Sequence, residues 1–302
     1  MVSSAFGPDI AIVGAARSGT SFLSAMLGRH PSIDPGFVKE PNYFSSRWSE
    51  DASWYNEQYG PRSSGILRLD SSVSYTYPQH PQALERLSNA APKLKLIYGV
   101  REPVRRLVSH YQLFRYYTRT HDWASLSDAL DKTEMILGAS DYAFWLRRIS
   151  EYFPAEQILV IPFPLITKDD GALTTLFSWL DLPEDESPPA QEAGDYRNEI
   201  REFRSPLVRR AHDVLRRSKH YPKLRSLVGA DRLRVLRRTI TRPTTMPDVE
   251  QELASLTPAQ HAEVDRIGQG ACTAVEQWLR DQDARHGTDW SAAWSAHVGT
   301  RR

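Results

Sequence analysis

Short apolar runs alternate with amphipathic stretches through the first 180 or so residues of the chain. Four runs are almost continuously apolar: DIAIVGA (9–15), GILRLD (65–70), KLKLIYGV (93–100) and QILVIPF (157–163). Apolar runs of this length that end in glycine, proline or polar residues are typical of strands buried on both faces of a sheet. The pattern therefore predicts four strands of one parallel sheet.

Between these runs, apolar residues recur every three or four positions, which is the period of a helix. The clearest stripe follows the third run and consists of Val104, Leu107, Val108, Tyr111 and Phe114. Further helices are predicted over TSFLSAMLGRH (20–30), YAFWLRRISEYF (142–153) and DGALTTLFSWLDL (170–182).

Strands that alternate with helices indicate the α/β class. We expect a single three-layer domain over residues 1–302, with a central parallel sheet flanked by helices. Closing helices are predicted over about 250–302, where Thr257 and Pro258 have the residue types of an N-cap and a first helical position. The segment LPEDESPPAQEAGD (182–195) is predicted to be an exposed loop.

An arginine-rich segment follows that loop. From Arg197 to Arg242 there are 15 Lys or Arg residues and 4 Asp or Glu residues, a formal charge of +11. One interpretation is an amphipathic helical segment with a solvated basic face. The other is that some of these arginines face an anionic cofactor or acceptor.

Composition changes this picture little. The formal net charge of +1 gives no general attraction to nucleic acid or to a membrane. The single cysteine, Cys272, excludes an internal disulfide and fits a reducing compartment, so we expect a cytoplasmic protein. No signal peptide, transmembrane segment or metal-ligand cluster is predicted. The sequence leaves the oligomeric state open, including a homo-oligomer.

The candidate chemistry begins in the loop after the first predicted strand, GAARSGTS (14–21). Gly14 and Gly19 have the spacing of a phosphate-binding loop between a strand and a helix, where backbone N–H groups and the helix dipole attract anions. Lysine would follow the second glycine in ATP and GTP enzymes, but Thr20 stands there. Arg17 can grip phosphate oxygens with two N–H groups, and Ser21 adds a hydroxyl. The alternative is a tight glycine turn.

A second phosphate signal follows the third predicted strand. Arg101 comes directly after that strand, and Ser109 lies eight residues later in the next helix. The carboxyl ends of parallel strands border the ligand crevice of α/β folds, so both residues could hold a second phosphate. The alternative is that Arg101 only pairs with a nearby acid such as Glu102.

The two motifs together resemble those of sulfotransferases that use 3′-phosphoadenosine 5′-phosphosulfate (PAPS), in particular the heparan-sulfate-type and bacterial branch. The resemblance extends through KEPNYFS (39–45), LDSSVSY (69–75) and much of the remaining chain. It implies a P-loop-like nucleotide site and no metal. The residues that it assigns to the 5′-phosphosulfate are Arg17, Ser18, Gly19, Thr20 and Ser21; those for the 3′-phosphate are Arg101 and Ser109; those of a loop over the nucleotide are Arg197, Asn198 and Arg204.

Glu40 matches the position of the catalytic glutamate in this branch, and the resemblance implies that it is the general base, with Arg17 and Lys39 as catalytic cations. His110 and Asp70 are alternative bases. Two departures concern lysine: related enzymes often have lysine in place of Arg17, and heparan-type relatives have lysine in place of Ser71.

The expected reaction is transfer of a sulfuryl group to a hydroxyl of a small molecule, lipid or carbohydrate. Two other functions remain open at this stage. One is a P-loop kinase, in which Asp70 would bind magnesium at the end of its strand. The other is a protein that binds an adenine nucleotide without catalysis.

Overall fold

The computed structural model describes residues 6–118, 120–168, 170–183, 201–217, 235–236, 239–243 and 245–299. Its main sheet has five parallel strands in the order β2-β3-β1-β4-β5. A two-stranded antiparallel sheet pairs β6 with β7. The strands are β1 (Ile10–Gly14), β2 (Ile33–Asp34), β3 (Leu67–Asp70), β4 (Lys95–Val100), β5 (Ile158–Pro162), β6 (Arg201–Phe203) and β7 (Thr241–Pro243).

The strand order creates a switch point between β1 and β4. From β1 the chain goes to β2 and β3 on one side, whereas from β4 it continues to β5 on the other side. Parallel crossover connections are right-handed, so these two connections leave towards opposite faces of the sheet. The loops after β1 and β4 therefore border one crevice at the carboxyl edge, where α/β folds bind ligands.

The helices cover this sheet, and four of them overlap the segments that the periodicity predicted over 20–30, 104–114, 142–153 and 170–182. They are α1 (Thr20–Leu27), α2 (Ala52–Asn56), α3 (Ala83–Ala90), α4 (Pro103–Gln112), α5 (Leu126–Lys132), α6 (Met135–Gly138), α7 (Tyr142–Ser150), α8 (Phe163–Lys168), α9 (Asp170–Trp179), α10 (Pro206–Arg217), α11 (Val249–Leu253), α12 (Pro258–His286) and α13 (Trp290–Gly299). Short 3₁₀ turns lie at Val73–Thr76 and Ala155–Gln157, and a π-helical turn at Leu113–Thr118 continues α4.

The core lies on both faces of the main sheet. All residues of β1 and β5 are buried, as a parallel sheet between helical layers requires. Leu23 of α1, Leu146 of α7 and Leu279 of α12 are buried in the same core. The predicted class, a central parallel sheet flanked by helices, is confirmed.

Side chains at the helix ends explain where two long helices begin. The Glu102 carboxylate accepts the N–H groups of Val104 (3.1 Å) and Arg105 (2.7 Å) and so caps α4. Thr257 caps α12 in a capping box with Gln260, as its residue type predicted.

The four predicted strands are present with narrower bounds. No sequence pattern predicted β2, which has only two residues, or the β6-β7 pair. The arginine-rich segment is described only in part, as α10, the β6-β7 pair and a few adjoining residues, and the predicted loop over 182–195 lies outside the described residues apart from 182 and 183. None of the helices that the structure describes has the length and apolar character to cross a bilayer.

Candidate functional site

Two glycines shape the loop between β1 and α1. A Cβ on Gly14 would lie 2.4 Å from Oγ1 of Thr76 and 2.8 Å from Cε2 of Tyr98, so no larger residue fits against the sheet there. Gly19 has a φ of 86° and is the N-cap of α1. Gly14 is therefore required by close packing and Gly19 by its positive φ. Together they let the chain turn directly from β1 into α1.

The start of α1 presents free donors. Among the described residues, no carbonyl accepts the N–H groups of Thr20 or Ser21, which belong to the first turn of the helix. The carbonyls one turn earlier accept from arginine side chains: Ala16 from Arg106 (3.3 Å) and Arg17 from Arg101 (3.4 Å). Unused N–H groups and the helix dipole make this end of α1 attractive to an anion.

Three arginines lie at this loop: Arg17, Arg101 and Arg106. Together with Ser18 we call them the arginine loop. Nε of Arg17 donates to Oγ of Ser109 at 3.0 Å. Burial and the neighbouring Arg101 lower the pKa of Arg17 to about 10. Burial also lowers the pKa of Arg101 and of Arg106. Three cations held close together out of water repel one another, and a bound anion would relieve that repulsion.

Some polar atoms of the arginine loop have no partner among the described residues. They include the buried hydroxyl of Ser18 and the buried Nε of Arg101. Buried donors are nearly always satisfied in native proteins, so such atoms at one place point to a ligand. The backbone of Arg101 is fixed, because its carbonyl accepts from the Tyr142 hydroxyl at 2.9 Å. The donor set fits the phosphate groups of a nucleotide.

Arg101 and Ser109 both contact Arg17, which the sequence did not predict. Ser109 is bound to Arg17 rather than to Arg101, and Arg101 donates to the backbone of Arg17. Arg17 therefore stands between the two residues of the predicted 3′-phosphate clamp. The guanidinium of Arg101 also lies over the Phe163 ring, 4.9 Å from its centroid.

Glu40 and Lys39 form an ion pair, with 2.7 Å between Nζ of Lys39 and Oε1 of Glu40. Their side chains are 26% and 39% exposed, for Lys39 and Glu40 respectively, so Glu40 can reach a substrate. Asn42 anchors the segment: its backbone N–H donates to Oγ of Ser72 at 3.0 Å, and its Nδ2 donates to the carbonyl of Glu40 at 3.0 Å. Glu40 also contributes to the raised pKa of Tyr77.

Asp70, one alternative base, is fully buried and saturated with hydrogen bonds. Its Oδ1 accepts from Ser72 at 2.6 Å, and its Oδ2 accepts from Tyr75 at 2.7 Å and from Tyr55 at 3.2 Å. We call these four residues the Asp70 cluster. Burial raises the pKa of Asp70 to about 6, although the three hydrogen bonds oppose that shift. With both oxygens engaged, Asp70 has a structural role and is poorly placed to bind magnesium or to accept a substrate proton.

His110, the other alternative base, is also fully buried. Its Nδ1 lies 3.1 Å from Nη1 of Arg106, and its Nε2 lies 3.1 Å from the hydroxyl of Tyr77. Burial and Arg106 hold the pKa of His110 well below its usual value. Since both ring nitrogens have partners inside the protein, His110 has no free lone pair for a substrate.

The residues predicted to fold over the nucleotide are only partly visible. Arg197 and Asn198 lie outside the described residues. Arg204 is exposed, and its backbone N–H donates to the carbonyl of Ile240 at 3.0 Å. Its Nε donates to the carbonyl of Thr241, the first residue of β7, at 3.4 Å.

Three residues of the site were not predicted from the sequence: Arg106, Tyr77 and Tyr142. A signal existed for Arg106, because it lies three and four residues before Ser109 and His110, on the same face of α4. Tyr77 and Tyr142 gave no such signal, since they reach the site from distant segments. Ser71, for which the resemblance to heparan-type enzymes predicts lysine, is fully buried, and its hydroxyl has no partner among the described residues.

No group of three or more His, Cys, Asp or Glu side chains in the described part of the chain is arranged to hold a metal ion.

The sulfotransferase domain family model matches residues 7–191 of this chain. The heparan sulfate N-deacetylase/N-sulfotransferase 1 of Caenorhabditis briggsae is 26% identical over 200 residues, which are 59% of this chain and 23% of that protein. The mouse heparan sulfate glucosamine 3-O-sulfotransferase 6 is 25% identical over 246 residues, which are 78% of this chain and 64% of that protein.

The chain thus spans less than two thirds of the length of either relative. Among solved structures, a sulfotransferase from Alicyclobacillus acidocaldarius superimposes with a TM-score of 0.52 at 23% identity. The match covers 68% of this chain and 90% of the other. It supports the fold described above.

Proposed function

Because the chain belongs to the sulfotransferase domain family, we propose that it transfers a sulfuryl group from PAPS to a hydroxyl of a carbohydrate, lipid or small molecule. The observation that carries the proposal is the arginine loop, which places several cations and unsatisfied donors at the switch point of the sheet. The nucleotide of PAPS has one phosphate on the 3′ oxygen of its ribose and one on the 5′ oxygen. Two phosphate groups match two loops, one after β1 and one after β4.

The 5′ end of the donor would lie at the start of α1. The N–H groups of Thr20 and Ser21 and the hydroxyl of Ser18 would bind its oxygens, and the Arg17 guanidinium would neutralise their charge. Arg101 and Ser109 would hold the 3′-phosphate. No lysine is needed, because the 5′ end has one phosphate and one sulfuryl group instead of a triphosphate with magnesium.

Glu40 is the proposed base. PAPS supplies an activated sulfuryl group whose leaving group is a phosphate. Glu40 would take the proton of the acceptor hydroxyl as it attacks sulfur, and Lys39 keeps a positive charge 2.7 Å from that carboxylate. Arg17 would stabilise charge on the leaving phosphate oxygen, because a guanidinium remains protonated at neutral pH.

The acceptor is proposed only by class. The curated relatives named above act on heparan sulfate, according to their names, which supports a carbohydrate. Ser71 is neutral and buried, so this position offers no cation to a polyanionic chain. A less charged acceptor than heparan sulfate is therefore favoured. A cytoplasmic location and a homo-oligomer stay predictions.

The Asp70 cluster argues against the kinase alternative. Magnesium would need the carboxylate oxygens of Asp70, but both accept hydrogen bonds from protein hydroxyls. The proposal is tested by incubating the protein with ³⁵S-labelled PAPS and a panel of sugars, lipids and phenols. Labelled product together with release of adenosine 3′,5′-bisphosphate is expected. Phosphorylation of the same panel from γ-labelled ATP, without sulfation, would contradict the proposal.

A further inference from the structure

Tyr77 follows the 3₁₀ turn after β3, and its side chain is only partly exposed. Its hydroxyl lies 3.1 Å from Nε2 of His110. Nδ1 of the same ring lies 3.1 Å from Nη1 of Arg106, and that Nη1 also donates to the carbonyl of Ala16 at 3.3 Å. A continuous series of contacts therefore joins the arginine loop to the hydroxyl of Tyr77.

The direction of these hydrogen bonds follows from the donors available. A guanidinium can only donate, so Nδ1 of His110 accepts from Arg106 and carries no proton. Burial and Arg106 keep the imidazole neutral by lowering its pKa, so its one proton is on Nε2. Nε2–H then donates to the oxygen of Tyr77. The proton of the Tyr77 hydroxyl is left to point elsewhere.

Within the described part of the chain, no atom accepts that proton. Burial and the nearby Glu40 raise the pKa of Tyr77, so the hydroxyl stays protonated at neutral pH. Arg106 and Arg17 oppose this rise in pKa, but burial is the largest effect. Tyr77 is thus a fixed, protonated donor that His110 and Arg106 link to the backbone of the phosphate loop, and it lies within electrostatic reach of Glu40.

We propose that the Tyr77 hydroxyl is a catalytic hydrogen-bond donor to the sulfuryl group, and that His110 and Arg106 are positioning residues that fix its direction. This inference rests on the function proposed above. The bond from the acceptor oxygen to sulfur forms while the bond from sulfur to the 5′-phosphate oxygen breaks. The proton of the acceptor goes to Glu40. Tyr77 keeps its own proton and shares it with a non-bridging sulfuryl oxygen, where it stabilises negative charge.

The test compares the binding of PAPS with that of adenosine 3′,5′-bisphosphate, which lacks the sulfuryl group. Tyr77→Phe should weaken PAPS about tenfold, because a hydrogen bond to a charged group is lost. The bisphosphate should bind within about twofold of the wild-type affinity, which also shows that the variant is folded. Turnover with PAPS should fall by about 10²-fold.

Tyr75→Phe is the matched control. It removes a tyrosine hydroxyl two residues away that donates to Asp70 at 2.7 Å, so it should leave the ratio of the two affinities unchanged. The double variant Tyr77→Phe, His110→Gln should have the same ratio as Tyr77→Phe alone, since His110 acts through Tyr77.

Wild-type PAPS binding and turnover in Tyr77→Phe would overturn the inference, as would an equal loss of affinity for both nucleotides, which indicates a structural role. Wild-type protein that binds neither nucleotide would contradict the proposed function itself. The two failures are therefore distinguishable.

Discussion

The arginine loop and the Asp70 cluster lie near each other at the carboxyl edge of the sheet, and both hold charge away from water. In the Asp70 cluster each carboxylate oxygen accepts from a hydroxyl. In the arginine loop, Nε of Arg101 and the hydroxyl of Ser18 have no such partner among the described residues. A buried charge that the protein itself satisfies serves the fold, whereas a buried cation with spare donors is arranged for a ligand.

This difference also separates the candidate bases. Asp70 is enclosed and fully hydrogen-bonded, while the Glu40 carboxylate is 39% exposed with a lysine beside it. A general base must reach the proton of its substrate, so accessibility decides between two carboxylates of the same chemistry. Four substitutions test this difference between the two sites.

The largest effect is expected from Arg101→Ala. Adenosine 3′,5′-bisphosphate should bind about 10²- to 10³-fold more weakly, because charge-assisted hydrogen bonds to a phosphate are lost. Calorimetric titration measures the change. Arg105→Ala, which changes an exposed arginine in the first turn of α4, is the control and should stay within about threefold of wild type. Equal losses in both variants would mean that Arg101 acts only through general charge.

Asp70→Asn should change the pH dependence of stability. The carboxylate of Asp70 has a pKa of about 6 in the folded protein against 3.8 in the unfolded chain. The folded state therefore holds its proton more tightly, and stability is lost as pH rises from 4 to 6. Relative to Asp70→Asn, the wild-type free energy of unfolding should fall by about 2 kcal/mol over that range, out of about 3 kcal/mol for the complete titration.

Urea titrations at pH 4 and pH 7 measure this difference. The variant should still bind the bisphosphate within about threefold of wild type, since Asp70 belongs to the fold. Parallel stability curves for the two proteins would show that the Asp70 carboxylate does not carry the predicted shift.

Glu40→Gln should reduce turnover by about 10²-fold while nucleotide affinity changes less than about twofold, because the amide keeps the shape but cannot accept the proton. Rates of bisphosphate release from PAPS with a fixed acceptor give the comparison. Glu50→Gln is the control. Glu50 is exposed to a similar extent and pairs with Arg47, as Glu40 pairs with Lys39, and its variant should retain full turnover. Unchanged turnover in Glu40→Gln would move the base to another group.

The smallest effect is expected from Arg204→Ala. Arg204 is exposed, so its attraction to a nucleotide is screened by water and salt. Bisphosphate affinity should fall about two- to fivefold at low salt, and the difference should vanish near 0.5 M salt. A loss comparable to that of Arg101→Ala would mean that the segment carrying Arg204 closes over the nucleotide in solution.

The family and the parallel sheet were predictable because their signals are local. The apolar run of β1, the glycines after it and the stripe of α4 each lie within about a dozen residues. Gly14 and Gly19 mark the loop by residue type alone, and Arg101 is placed by the strand that precedes it.

What the sequence could not reveal depends on distant contacts. The saturation of Asp70 requires Tyr55 and Tyr75 to meet on one carboxylate, and no spacing predicts that. The link between Tyr77 and His110 joins residues 33 positions apart. The same holds for Arg106: its helical face could be predicted, but its hydrogen bonds to Ser140 and to the carbonyl of Ala16 could not.

The most direct test of the account is calorimetric titration of the wild-type protein with two nucleotides. One titration uses adenosine 3′,5′-bisphosphate in buffer with EDTA, and the other uses ATP with Mg²⁺. Two phosphate loops lined by arginine predict micromolar or tighter binding of the bisphosphate without metal, and binding of Mg-ATP at least about tenfold weaker. Preferential, magnesium-dependent binding of ATP would contradict the account.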